Sequence, residues 1–234
     1  MTGKCAVIFG ATGGIGSAIA DQLASEGRYD QIIRFSRSGD GPLSVDLTSE
    51  ATIAAAAEWM KNEAIAPAMV FVATGLLHDA ERGPEKSLRQ LEPDWLMKIY
   101  QVNAIGPALV AKYFLPLMDR NDIIRFAALS ARVGSISDNR LGGWYGYRAA
   151  KAALNMMIRN LSIEWSRKND RSVIVALHPG TVDTALSQPF QNNVPTGKLF
   201  DSARAARQVL AVLERLEPAD SGKIFAWDGT EIKP

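Results

Sequence analysis

At 234 residues, with 47% apolar and 22% charged residues, the chain has the size and balance of one large α/β unit with a full core. Its 26 basic and 25 acidic residues leave a formal net charge of +1, which gives no electrostatic reason to expect nucleic acid or an anionic membrane as a partner. Cys5 is the only cysteine, so an intramolecular disulfide and a cysteine-built zinc site are excluded, and a cytoplasmic location is expected. The N-terminus reaches glycines before any long apolar run develops, which speaks against a secretory signal. No run of about 18 apolar residues predicts a transmembrane helix.

Cys5–Phe9 is a short apolar run that predicts a strand, followed by a glycine-rich turn and a helix with Ile19, Ala20, Leu23 and Ala24 at helical spacing. Strands are expected at 31–35 and, briefly, at 42–45. An Ala-rich helix over 50–63 leads to a strand at 68–73. A long helix runs from near Glu92 towards Met118, with a break at Pro107, and a strand follows at 123–129. A polar, Gly-rich connection at 135–143 precedes a helix over 144–167. Then come a strand at 172–178, an irregular stretch at 179–199, a helix at 201–216 and a last strand at 223–227. Apolar strands alternating with helices predict an α/β fold. It is a single Rossmann-type domain over residues 1–234, with a doubly wound, mostly parallel sheet of about seven strands and helices on both faces.

Gly10, Gly14 and Gly16 lie between the first strand and first helix in the pattern G-x-x-x-G-x-G, with Thr12, Gly13 and Ile15 completing the turn. Glycines let the backbone turn sharply and approach a pyrophosphate, and the helix N–H groups then face its charge. The bland alternative is a tight strand-to-helix turn. After the second strand the chain reads Ser36-Arg37-Ser38, with no carboxylate to accept from a ribose 2′-hydroxyl. Arg37, helped by the two serines, suits a 2′-phosphate, so NADP(H) is preferred while NAD(H) stays open.

Tyr147 and Lys151 are four apart at the start of a helix and share a face. A free phenol has a pKa of roughly 10. A neighbouring cation favours phenolate and would let the tyrosine exchange a proton with a substrate oxygen. Alone, Y-x-x-x-K is an ordinary helix surface. Together with the glycine turn it resembles the short-chain dehydrogenase/reductase family, and the resemblance extends over essentially the whole chain. Asp46-Leu47 is similar to the family's adenine-contacting pair. Asn103 matches its helix asparagine, which supports the lysine through a water. Pro179-Gly180-Thr181-Val182-Asp183-Thr184 matches the segment along the nicotinamide. The wording Ala131–Ser135 and Gly142–Arg148 resembles most the C-factor-like, sniffer-like carbonyl reductase branch.

The resemblance implies an NADP(H)-dependent oxidoreductase acting on a small carbonyl or alcohol, with Tyr147, Lys151, Asn103 and Ser130 as catalytic candidates. Tyr147 would be general acid in reduction and base in the reverse direction, and Lys151 would hold the nicotinamide ribose. Pro179, Gly180, Val182 and Thr184 join the cofactor set, as do Ala73, Thr74 and Gly75 after the fourth predicted strand. A substrate loop is expected over 181–200, and a homodimer or homotetramer by analogy. Three departures stand out. Ala131 occupies the place of the family's substrate-binding serine. Ser130 is one residue off and points to the other strand face unless a bulge intervenes, while Ser135, Ser137 or a water could swing in. Phe9 replaces a usual threonine, and Val72-Ala73-Thr74-Gly75 replaces Asn-Asn-Ala-Gly.

His78 reads as a partly exposed loop histidine, with substrate contact as the alternative, and His178 as a buried, hydrogen-bonded strand end. No catalytic metal is expected from two histidines this far apart. Trp144, Tyr145, Phe190, Leu199 and Phe200 suit an apolar pocket or ordinary core equally. The competing function is a cofactor-binding regulatory or signalling protein that keeps the fold but turns over weakly.

Overall fold

Strands with apolar residues on both faces organise the chain in the computed structural model, which describes residues 4–234. Residues 1–3, part of the stretch read against a secretory signal, and the side chain of Asn193, within the expected substrate loop, lie outside the described residues. In chain order the strands are β1 (Cys5–Phe9), β2 (Gln31–Phe35), β3 (Pro67–Val72), β4 (Arg125–Leu129), β5 (Val173–His178), β6 (Thr181–Val182), β7 (Leu199–Phe200) and β8 (Ile224–Ala226). The main sheet has six strands, all parallel, in the order β2-β1-β3-β4-β5-β8. β6 and β7 pair separately as a two-residue ribbon.

The third of the seven expected strands, at 42–45, is absent. Gly41–Leu43 is a 3-10 turn, and only an isolated bridge between Ser36 and Ser44 touches the sheet. Pro42 has no N–H for a ladder, and Gly41 at φ 53° bends the chain away.

The helices are α1 (Gly14–Glu26), α2 (Glu50–Asn62), α3 (Pro93–Tyr100), α4 (Gly106–Phe114), α5 (Tyr145–Ser166) and α6 (Ser202–Arg215). The pleat of β1 sends Ala6 and Ile8 to one face, where Ile19 and Leu23 of α1 and Val209 and Leu213 of α6 cover them. Val7 and Phe9 face the other way, under Ile53, Val110, Leu154 and Ile158 from α2, α4 and α5. Phe9 explains its own departure from the family pattern. Its ring stacks on Phe35 at 5.0 Å and meets Phe114 edge-on at 4.9 Å, so an aromatic cluster takes the space of a hydroxyl.

The long helix expected from Glu92 to Met118 is divided. Between α3 and α4 lies a five-residue π segment, Gln101–Ile105, in which the Gly106 N–H reaches back to Gln101. Pro107 has no N–H to offer the Asn103 carbonyl, and the widened turn absorbs that loss. α5 begins one residue later than expected, since Trp144 is left-handed at φ 50°. No described helix is long and apolar enough to cross a membrane.

The chain leaves β1 for β2 on one side and returns across β1 to reach β3 on the other. Between the carboxyl ends of β1 and β3 the connections diverge, which is where an open parallel sheet leaves a crevice.

Candidate active site

That crevice opens into a cavity of about 1220 Å³ along the carboxyl ends of the strands. Its first wall is the turn after β1. The Gly10 and Ala11 N–H groups donate to the Phe35 carbonyl at 2.9 and 3.1 Å, tying the turn to β2. Gly10 is left-handed at φ 77°, and a Cβ there would come within 3.0 Å of the Thr74 methyl. Only glycine meets both demands. α1 follows, and its N-cap, Gly13, offers no side-chain acceptor, so the first-turn N–H groups are left for an incoming anion. Thr12, Gly13, Gly14 and Ile15 line the cavity as the sequence predicts. Gly16 does not. A Cβ there would lie 2.2 Å from the Gly10 carbonyl oxygen, so its smallness lets α1 close on the turn.

At one end of the cavity stand Ser36, Arg37 and Ser38, with the two hydroxyls 3.4 Å apart. Arg37 is exposed and makes no salt bridge among the described residues. Asp46 and Leu47 line the wall nearby, and the Asp46 carboxylate accepts from the Thr48 N–H and hydroxyl, both at 2.8 Å. Ala73, Thr74 and Gly75 form the middle of the floor, where the buried Thr74 hydroxyl has no protein partner. Pro179, Gly180, Val182 and Thr184 line the cavity as well, and Thr184 packs on the glycine turn, where a Cβ on Gly14 would come within 2.8 Å of its methyl.

Tyr147 and Lys151 project from the first two turns of α5 into the same cavity. Both are buried, and the Lys151 ammonium lies 5.7 Å from the centre of the Tyr147 ring. It donates to the Leu129 carbonyl at 2.8 Å, at the end of β4. Burial pushes the Tyr147 phenol up to about 12 and the Lys151 ammonium down to about 7. Burial thus acts on the phenol in the direction opposite to that expected of a neighbouring cation.

Asn103 is fully buried but does not border the cavity. Its amide donates to the carbonyls of Leu76 and Ile99 at 2.7 and 2.9 Å, and its oxygen accepts the Leu76 N–H at 3.1 Å. It fixes the loop after β3, and Lys151 is held by Leu129 directly. Ser130 borders the cavity, yet its hydroxyl donates to the Asn155 Oδ1 at 2.7 Å. Ala131 lines the cavity in the serine's place. Ser135, a candidate to swing in, is buried and donates to the Lys233 carbonyl, with the Ser137 hydroxyl 3.3 Å away, and neither borders the cavity.

The remaining wall is aromatic. Phe190 meets Trp144 at 5.1 Å and His78 at 5.7 Å between ring centres, and Trp144 lies 6.3 Å from Tyr147. His78, half-exposed in its loop as expected, also approaches the Ala185 carbonyl at 3.1 Å, so it packs on residues 181–200 and lines the cavity. Phe200 is core, edge-on to Trp227, and Tyr145 and Leu199 stay exposed. The Nδ1 of His178 is buried without a protein partner, against the hydrogen-bonded strand end expected, and burial together with Arg132 pushes the imidazole down to about 4. Sequence reasoning missed the rim pair Lys98–Asp79, at 2.8 Å, and the apolar Leu186 and Val194. Both rest on contacts between distant segments and leave no local signal.

This geometry and the ordered motifs are those of a family. The chain belongs to the short-chain dehydrogenase family, whose model matches residues 4–195. It is similar to C-signal of Myxococcus xanthus, 34% identical over 137 residues that cover 58% of this chain and 77% of that protein. In fold it is similar to the NADPH-bound carbonyl reductase from chicken fatty liver, with a TM-score of 0.82, 22% identity and coverage of 99% of this chain and 94% of that one. It is also similar to the carbonyl reductase Sniffer of D. melanogaster, with a TM-score of 0.80, 19% identity and 99% of each chain covered.

The buried lysine carries a stability consequence. Its folded pKa of about 7 lies below its ordinary value of roughly 10.4, so the unfolded chain binds the proton across that window. Stability therefore rises as pH increases from about 7 to 10, and Lys151→Met removes that rise and stabilises the protein at pH 6. Urea titrations of both proteins across this range read the slope, and equal slopes would contradict it.

Proposed function

We propose that the protein is an NADP(H)-dependent oxidoreductase that moves a hydride between the nicotinamide and a carbonyl or alcohol carbon. Its membership of the short-chain dehydrogenase family supports the reaction class. The observation that carries the reading is one cavity with the glycine turn and free helix N–H groups on one wall and the buried Tyr147–Lys151 pair on the other. The fit for a dinucleotide rests on the close approach that Gly10 alone permits and on the unpartnered Thr74 hydroxyl.

The first-turn N–H groups of α1 and the hydroxyls of Thr12 and Thr184 would hold the diphosphate, and Arg37 with Ser36 and Ser38 the 2′-phosphate. A bound nicotinamide supplies or accepts the hydride. Tyr147 gives its phenolic proton to the carbonyl oxygen in reduction and takes it back in alcohol oxidation. Lys151, anchored on Leu129, orients the ribose and offsets negative charge on the phenol. Residues 181–200 form the substrate loop, and Phe190, Trp144 and His78 make it an apolar, aromatic wall that excludes water.

Tyr147→Phe tests the reading. With NADPH and a panel of aldehydes, ketones and diketones, kcat is expected to fall by about a hundred- to ten-thousand-fold while NADPH binding is retained. Full turnover in the variant would overturn it. The cofactor preference is tested separately by Arg37→Ala, expected to raise the Kd for NADPH by about tenfold or more and leave NADH unchanged. An equal loss for both cofactors would argue against a 2′-phosphate site.

A second reading, a regulatory protein with weak turnover, is favoured by one specific observation. None of the serine hydroxyls considered for the substrate oxygen is placed to donate to it: Ser130 is committed to Asn155 and Ser135 to Lys233, Ser137 does not border the cavity, and Ala131 has none. A missing donor of this kind typically costs a hundred- to a thousand-fold, or roughly 3–4 kcal/mol. Ala131→Ser restores the donor, and an increase in kcat of at least about tenfold is expected if catalysis is limited there. An unchanged or lower kcat would mean that another group already fills the role.

A further inference from the structure

Among the described residues, two formally charged side chains are buried, and both bear on α5. One is Lys151. The other is Glu85, only 3% exposed, in the long loop between β3 and α3. Its Oε2 accepts the Gly146 N–H at 3.1 Å, and its main-chain carbonyl accepts the N–H of Trp144. The N-cap of α5, Trp144, has no side-chain cap bond and is held left-handed at φ 50°, after Gly142 and Gly143 at φ 64° and 62°. Three successive positive φ angles ending on a tryptophan make an unfavourable entry to a helix. A 22-residue helix nonetheless starts there, with Tyr147 in its first turn.

We propose that Glu85 is a positioning residue for Tyr147, a cap supplied from a distant loop that holds the first turn of α5 through the amides of Trp144 and Gly146. Those are two of the donors that a helix start leaves unpaired, and α5 has no local cap to satisfy them. The fit is mutual. A Cβ on Gly146 would stand 2.9 Å from the Glu85 Oε1 and 2.9 Å from a Leu96 methyl, so glycine at 146 makes room for the carboxyl group. Asn103 fixes the start of the same loop at Leu76, so the loop is anchored at both ends, on the π segment and on α5. Tyr147 is thus bracketed, by Glu85 on the preceding residue's amide and by Lys151 one turn further on. Fraying of the first turn would displace the phenol without touching the glycine turn or Arg37.

The role of Glu85 rests on Tyr147 being the acid, and the test separates the two. Glu85→Ala and Glu85→Gln are compared with the parent protein by amide hydrogen exchange over residues 144–148, by NADPH binding and by steady-state reduction of a carbonyl that the parent turns over. In Glu85→Ala the exchange is expected to quicken and kcat to fall about ten- to a hundred-fold, with the NADPH Kd and carbonyl KM within about twofold. Glutamine keeps the acceptor, so Glu85→Gln is expected to recover most of kcat and of the protection. An unchanged kcat or unchanged exchange in folded Glu85→Ala would overturn the proposal, as would kcat, NADPH binding and melting temperature falling together in both variants. Should Glu85→Ala not fold, Gly146→Ala pushes on the carboxyl group from the helix side. The same selective loss of kcat is expected from it, and no loss overturns the proposal. A parent without turnover on any carbonyl would remove the catalytic reading while the exchange data still decide whether Glu85 caps the helix.

Discussion

A lysine ammonium taken out of water needs a compensating acceptor, and the arrangement around Lys151 follows from that need. The side chain is almost wholly buried, and the acceptor identified for it is the Leu129 carbonyl at the end of β4. Desolvation of a cation is unfavourable enough that its folded pKa drops to about 7. That bond ties the face of α5 that also carries Tyr147, one turn away, to the end of β4. The same burial pushes the phenol up, since both groups line one cavity.

The segment between β3 and α3 connects this pair to the rest of the molecule. It carries Thr74 and Gly75 at the floor of the cavity, His78 and Asp79 at its rim, and Glu85 at the start of α5. Such a segment would wander if its backbone were not tied down, and the π segment supplies the tie through Asn103. The irregularity that Pro107 imposes on the α3–α4 rod therefore has a structural use. It turns the asparagine amide towards the loop instead of leaving a straight helix with its polar side chain unplaced.

The aromatic end of the cavity is built differently from the glycine-turn end. Around the glycine turn the walls are backbone amides and small residues, and close approach is enforced by steric limits. Across the cavity the walls are rings and aliphatic side chains, and the charged pair Lys98 with Asp79 neutralises itself. Ala131 continues the apolar character into the place where the family carries a hydroxyl. The serines nearby are bound up in joining β4 to α5 and to the C-terminal segment, through Asn155 and Lys233.

What the sequence by itself determined is what depends on neighbours along the chain. The βα alternation, the glycine turn after Phe9, the spacing of Tyr147 and Lys151, and the absence of a carboxylate after β2 are all local patterns, and each stands where it was read. The break at Pro107 was legible, although its form, a π segment, was not. The strand read at 42–45 failed because an apolar pattern cannot show that Gly41 and Pro42 lead the backbone out of reach of a partner. Only the tertiary structure decided that Gly16 packs against Gly10, that Asn103 holds Leu76, that Ser130 is tied to Asn155 and that Glu85 caps α5. In each of these the partner comes from another turn or another element, so no period or motif announces it. Burial decided the remaining point. Spacing brings a cation to a phenol, but the depth of the cleft pushes that phenol's pKa up, because the cost of desolvating charge depends on everything folded around it.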